Sequence, residues 1–349
     1  MLSEGLRDIL AKQPVVTTKL AEQLLNEPLQ VEHAYLEHYH THVSLGDTDD
    51  YINRLVERTR QRKTSKGAVV APWGYGKTST LIFAWKACEE HNLIAVPPFV
   101  CSSWQDILTA TYGWLRFRLG RELVIELEHE YNKYNRLAFD DHVKILAKGV
   151  GVSEVDARAI LEEEKKQGTP IGELTPTNLL SFLEFASQLV TQRGGFDGLV
   201  ILADELQQIV DSTTNLHATI QQFRDLVLWL ATKGDLPLTL ILCMPDTTEG
   251  SIQELGHDVL DRLKTDRLYI NLRNIYSTTF PTELWGRYID RFSLGDIADN
   301  LIHPHTLRSM GQIATRDDLG RGPRTVVDAM QCAIRHYDKT GEVYTPIDL

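Results

Sequence analysis

Short apolar runs punctuate the first three quarters of the chain, each closed by turn or polar residues: Gly67 to Ala71, Asn92 to Val100, Gly198 to Ala203, Leu236 to Met244 and Leu268 to Leu272. Runs of this kind predict strands of a parallel sheet buried on both faces. Between them the apolar positions fall three and four apart, as in helices: Tyr51, Ile52, Leu55 and Val56 behind a cap at Gly46-Asp47-Thr48, Thr78 to Ala84, Trp104 to Leu119, Thr175 to Gln192, Leu216 to Leu230, and a helix between Ser251 and the last strand. From 277 onward the pattern is helical throughout, over Thr282 to Phe292, about His305 to Ala314, and Pro323 to Tyr337. The prediction is a three-layer α/β core followed by a small all-helical lid.

Two regions depart from this alternation. Residues 120 to 175 form a charged helical stretch with turn residues at Gly149 to Gly151 and Gly168-Thr-Pro170, read as an insertion whose charges make a solvated face. Residues 1 to 32 carry Leu6, Ile9 and Leu10, then Leu20, Leu24 and Leu25, which predict two short amphipathic helices broken near Pro14, able to dock on the core or a partner. After them His38, His40 and His42 alternate as they would on one face of an extended segment, with His33 nearby. A solvated strand explains these histidines better than a metal site, because no fourth ligand is defined.

Composition sets outer limits. With 349 residues, 42% of them apolar, the chain can bury a large core, and a net charge of −12 provides no global field for nucleic acid. A DNA contact then needs a local basic patch or other subunits. The apolar runs are too short to cross a membrane, and the N-terminus lacks the layout of a signal peptide, so the expected location is the cytoplasm. Cys88, Cys101, Cys243 and Cys332 are scattered, without CxxC pairing, and are expected to be buried thiols.

The first apolar run leads into Pro72-Trp73-Gly74-Tyr75-Gly76-Lys77-Thr78-Ser79, and this is where chemistry enters. Gly74 and Gly76 let the backbone turn where a Cβ would clash, and the following helix brings its free N–H groups and positive dipole end beneath the turn. That is a cradle for the phosphates of a nucleotide: Lys77 reaches the β and γ oxygens and Thr78 offers a hydroxyl to Mg²⁺. Ala71 stands where the strict P-loop pattern has its first glycine, and is small enough for the place.

The run Leu199 to Ala203 ends abruptly in Asp204-Glu205. Beside a phosphate cradle, Asp204 can hold the Mg²⁺ shell and Glu205 can orient and deprotonate the attacking water. Just past the next strand lie Asp246 and Thr247, at the carboxyl end where parallel sheets bind ligands; a γ-phosphate sensor and a plain turn both fit. Arg262 and Arg267 flank the join to the last strand, and either stabilises charge on phosphate or makes a surface ion pair. Arg324 sits in the first turn of the last helix, opposing the helix dipole, so an anion is expected beside it: a nucleotide phosphate, or Asp317 or Asp318.

Taken in this order, with a last helix opening Gly320-Arg-Gly-Pro-Arg324, these features resemble the AAA+ class of ATPases over roughly residues 43 to 338. The resemblance is to replication-initiator and transposition-type members and to the ATP-binding proteins of bacterial phage-defence systems such as BREX. It implies a sheet ordered 5-1-4-3-2, ATP with Mg²⁺, and an active site completed between adjacent subunits. It makes Ala71 to Ser79 Walker A, Asp204 and Glu205 Walker B, Arg324 sensor 2, and Arg262 or Arg267 the arginine finger. Cys243-Met244 stands where the class places its polar sensor 1 residue. The expected organisation is an N-terminal helical, His-rich arm (1–45), an ATPase core (46–276), a lid (277–340) and a short, truncated-looking tail (341–349), as expected of the ATPase module of a longer polypeptide or of one that works with a separate effector. The expected activity is ATP hydrolysis by a homo-oligomer or larger complex in a DNA-linked process such as phage defence, transposition or replication. The alternative is a nucleotide-gated switch with slow or no hydrolysis.

Overall fold

A computed structural model describes residues 17–40, 43, 47–166, 176–211, 215–274, 276–295, 301–314 and 322–343. The strands are β1 (Lys19–Leu20), β2 (Ser65–Val70), β3 (Ile94–Val100), β4 (Leu199–Asp204), β5 (Leu238–Met244) and β6 (Leu268–Asn271). The helices, in chain order, are α1 (Ala21–Asn26), α2 (Pro28–Tyr39), α3 (Thr48–Arg60), α4 (Lys77–Glu90), α5 (Trp104–Arg118), α6 (Arg121–Val150), α7 (Glu154–Lys166), α8 (Pro176–Gln188), α9 (Gln207–Asp211), α10 (Leu216–Thr232), α11 (Asp246–Lys264), α12 (Phe280–Phe292), α13 (Pro304–Ala314) and α14 (Pro323–Thr340).

All pairings in the sheet are parallel and the order is β1-β3-β4-β5-β2-β6. Counting the five strands expected from sequence, that is 5-1-4-3-2, extended at one edge by β1. Every residue of β2, β3, β4 and β5 is buried, which is why these segments are mostly apolar runs rather than alternating ones; β2 is the exception at its start, where Ser65 and Lys66 are buried too. Pro97-Pro98 cannot donate to a ladder, and the β3–β4 register shifts between Val96 and Phe99 where they occur. Beyond that shift Leu20 aligns with Val100 and Val100 with Asp204, so the carboxyl ends of three neighbouring strands are level.

The sheet and its surrounding helices share one large core. A second cluster, including Trp285, Leu301, Met310 and Met330, joins α12, α13 and α14, and a small third one joins α6 to α7 through Val143, Ala147, Ala157 and Leu161.

Several expectations need correction. His33 and His38 lie on helix α2, not on an extended segment: Pro28 opens the helix, and Val31 and Tyr35, four apart, bury one of its faces. The helical period of the apolar positions outweighed the alternation of the histidines; His42 lies outside the described residues. Leu20 sits on the edge strand β1 while Leu24 and Leu25 are helical, and the expected helix around Leu6 to Leu10 lies outside the described residues. The helix expected to reach Gln192 is α-helical only to Gln188 and closes in a π-turn, Leu189–Arg193. Cys88, Cys101 and Cys243 are buried, but Cys332 is exposed on α14.

Candidate functional site

Strand β2 ends at Val70, and the chain turns through Ala71 to Gly76 into α4. Gly74 (φ 85°) and Gly76 (φ 79°) hold left-handed backbone that a residue with a Cβ would adopt only under strain. At Gly76 a Cβ would also come within 3.2 Å of the Tyr276 hydroxyl. The N–H of Thr80 is bonded to the carbonyl of Gly76 (2.9 Å), so those of Lys77, Thr78 and Ser79 precede the helical ladder and point out of its positive end.

Lys77 is 8% exposed and its Nζ donates to the carbonyls of Ala71 (2.8 Å) and Pro72 (3.0 Å), lying 5.2 Å from the Trp73 ring centre. Both acceptors are neutral carbonyls, and among the described residues no ion pair engages its charge. Thr78 Oγ1 donates to Asp204 Oδ2 at 2.6 Å, joining two motifs 126 residues apart. Asp204 is fully buried, and its Oδ1 accepts the N–H of Glu205 at 2.8 Å. The Cys243 thiol is pushed well above its ordinary value, first by burial and then by the charge of Asp204, so it stays protonated.

Glu205 adopts left-handed backbone (φ 57°), unusual for a residue with a side chain and a mark of local constraint. Its carboxylate accepts from the Gln207 amide, whose own Oε1 is buried without a partner. Burial, and then the charge of Asp204, raise the Glu205 pKa; the Gln207 hydrogen bond and the charges of Lys77 and Arg324 pull it back. Three of the charged residues expected from sequence, Asp204, Lys77 and Arg324, therefore act on this carboxyl.

The last helix meets the loop directly. The N–H of Arg324 donates to the carbonyl of Gly74 (3.2 Å), and the Arg324 Nε is buried without a hydrogen-bond partner. Gly322 (φ 43°) faces Tyr75 so closely that a Cβ there would lie 2.8 Å from the ring. Tyr75 is 3% exposed, and the Tyr276 hydroxyl donates to its carbonyl while the two rings meet edge to face, 5.3 Å between centres. Asp317 and Asp318 lie outside the described residues.

The other expected residues are placed differently. Ser79 shares a hydrogen bond with His38 Nε2 (2.9 Å), and burial lowers that imidazole to a pKa of about 4. Asp246 begins α11, accepts the N–H of Thr247 and pairs with Arg273 at 3.5 Å, an arrangement that fits a structural turn. Arg262 lies in the last turn of α11 with its Nε buried and unpartnered, and Arg267 is exposed before β6. Among the described residues no hydrogen bond or ion pair joins either arginine to the loop. Trp73 is 53% exposed at the loop's tip.

Three contributors were not anticipated: Thr18, whose hydroxyl donates to Asp204 Oδ2 at 2.7 Å, Gln207 and Tyr276. No spacing rule links them to the motifs. Only the short separation of Gln207 from Glu205, with Leu206 alone between them, gave a local cue.

The donor set fits a small hard cation, since Thr78 and Asp204 offer oxygen only. The cradle likewise fits a phosphate chain: three N–H groups outside the ladder and, among the described residues, one lysine in no ion pair and one arginine with a buried Nε lacking a hydrogen-bond partner.

No protein-family profile matches the chain, and no curated protein matches it. Similar solved structures include Cdc6p from Pyrobaculum aerophilum and the ORC2 protein of Aeropyrum pernix in its ADP form. Each is 12% identical, with a TM-score of 0.46; the match spans 96% of this chain and 67% and 68% of theirs, respectively.

Proposed function

We propose that the chain is an ATP-binding, ATP-hydrolysing module of the AAA+ kind that works with Mg²⁺. The observation that carries this is the 2.6 Å hydrogen bond from Thr78 to Asp204, which brings the phosphate cradle and the buried acid together. Lys77 and the N–H groups of Lys77 to Ser79 hold the β and γ phosphates; Pro72 to Gly76 wrap them; Thr78 and Asp204 hold the cation, whose chemistry is to neutralise charge between the β and γ oxygens. Glu205 positions water and accepts its proton, a role suited to a carboxyl whose pKa is raised. Arg324 adds positive charge from the lid side.

In this reading residues 1–45 are an arm, 46–276 the core with its insertion at 120–175, and 277–340 the lid. Arg262 or Arg267 serves the site of a neighbouring copy, and Asp246 senses nucleotide only if its pairing with Arg273 breaks. We place the module in a homo-oligomer or larger complex, in the cytoplasm, in a DNA-linked bacterial process such as phage defence, transposition or replication. Among the described residues no helix is long and apolar enough to cross a membrane.

The test is ATP turnover by wild type, Lys77→Ala and Glu205→Gln, with and without duplex DNA. Turnover in wild type, lost in both variants, is expected; equal turnover in all three overturns the reading. A nucleotide-gated switch is favoured by one observation, that the lid's first turn bonds directly to the phosphate loop. It predicts a change in assembly mass between ADP and a non-hydrolysable ATP analogue, with little turnover.

A further inference from the structure

The hydroxyl of Thr18 sits on the two groups assigned above to the cation: 2.7 Å from Asp204 Oδ2 and 3.3 Å from Thr78 Oγ1. We propose that Thr18 is a positioning residue for Asp204, delivered by the N-terminal arm, so that arm docking and cation-dependent nucleotide binding reinforce each other. The proposal rests on the phosphate reading of the site.

Asp204 is fully buried, and a buried carboxylate persists only where donors satisfy it. Its Oδ1 accepts one N–H, from Glu205, and its Oδ2 accepts two hydroxyls, from Thr78 and Thr18. Those three donors fix the plane of the carboxyl. Thr78 and Glu205 belong to the two motifs themselves, whereas Thr18 arrives from 186 residues away and is itself 8% exposed.

Thr18 is not held there by its own hydroxyl alone. Lys19 and Leu20 pair in parallel with Phe99 and Val100, adding a strand to the sheet edge. The Lys19 N–H donates to the Tyr35 hydroxyl (3.0 Å), which donates in turn to the carbonyl of Pro98 (2.7 Å). Tyr35 is fully buried, so one phenol clamps the arm to the Pro98 carbonyl of β3. The arm is thus attached by contacts that do not touch Asp204, and Thr18 is the tip that does.

Partners that orient a metal-binding side chain change metal affinity by about 10- to 100-fold when removed. Coupling of this sort is reciprocal, so Mg²⁺ with ATP must also tighten the arm. The experiment measures binding of a fluorescent ATP analogue as a function of Mg²⁺ for wild type, Thr18→Val, Thr18→Ser and Tyr35→Phe. Thr18→Val is expected to raise the Mg²⁺ half-saturation about tenfold, Thr18→Ser to stay within about twofold of wild type, and Tyr35→Phe to raise it without altering any group that touches Asp204. In wild type, Mg²⁺ with ATP should slow hydrogen exchange at Lys19 and Leu20 relative to ATP with a chelator, a readout that needs no variant to fold. Mg²⁺-dependent binding by wild type that Thr18→Val leaves unchanged, a Thr18→Ser as impaired as Thr18→Val, or unchanged arm exchange overturns the proposal alone. Absence of Mg²⁺-dependent binding in wild type overturns the phosphate reading and this one with it.

Discussion

The backbone N–H of Arg324 donates to the carbonyl oxygen of Gly74, so the last helix of the chain begins on the glycine turn that follows its first buried strand. Because the bond is made by backbone, it does not depend on the arginine side chain, and of the other residues only proline, which lacks the N–H, would remove it. What it requires is that the chain at Gly322 come within contact of Tyr75.

Gly322→Ala therefore tests the docking of helix on loop. The added methyl meets the Tyr75 ring at 2.8 to 3.0 Å, on backbone with φ of 43°, where a Cβ is already strained. Overpacking of this kind costs about 1 to 3 kcal/mol. A lower thermal midpoint together with weaker ATP binding is expected. An unchanged midpoint would mean that Tyr75 moves aside freely and that the contact constrains nothing.

Tyr276→Phe removes the hydroxyl that donates to the Tyr75 carbonyl while keeping the edge-to-face ring contact. A net loss of about 0.5 to 1.5 kcal/mol is expected, which corresponds to at most about a tenfold weakening if it falls wholly on nucleotide binding. Titration calorimetry with ATP distinguishes this from a purely structural loss, which would lower the melting temperature and leave affinity alone.

Glu205 sets a pH dependence. Burial and Asp204 raise its pKa from the ordinary 4.5, so it stays protonated where a free glutamate is ionised. Turnover should climb with pH along a limb shifted upward from that of a free glutamate, and Glu205→Gln should abolish that limb with the turnover. For stability the sign is opposite. The folded state holds this proton more tightly than the unfolded one, so the contribution is complete below the ordinary value and is lost as pH rises through the raised one.

Asp266 anchors the strand that delivers the cradle. It accepts from Lys66 Nζ (3.0 Å), the Lys66 N–H (3.0 Å) and Arg58 Nη2 (3.0 Å), and the Lys66 side chain is only 5% exposed. Asp266→Ala leaves that ammonium buried without its counter-ion, an expected loss of about 3 to 5 kcal/mol in a urea titration. Lys66→Met combined with Asp266→Leu should recover most of it. If the double variant is no more stable than the single, the loss comes from the Arg58 contact instead.

How far the sequence alone reached depended on whether a residue acts through its neighbours along the chain or across the fold. Val69 to Thr78 and Leu199 to Glu205 were legible because buried strands must be apolar, tight turns need glycine, and the cradle spans a few consecutive positions. The five-strand order 5-1-4-3-2 followed from resemblance and is the order seen, with β1 added at the edge. The histidines misled because the segment that carries His33 and His38 is a helix, whose period is set by Val31 and Tyr35, buried four apart. Only tertiary structure could decide that Thr18 reaches Asp204, that Tyr276 holds the Tyr75 carbonyl and that Gly322 leaves room for the Tyr75 ring. Each of these contacts spans roughly 190 to 250 residues of chain, a separation that no local pattern encodes, and each exists because the fold brings a distant segment to the carboxyl end of β2 or β4.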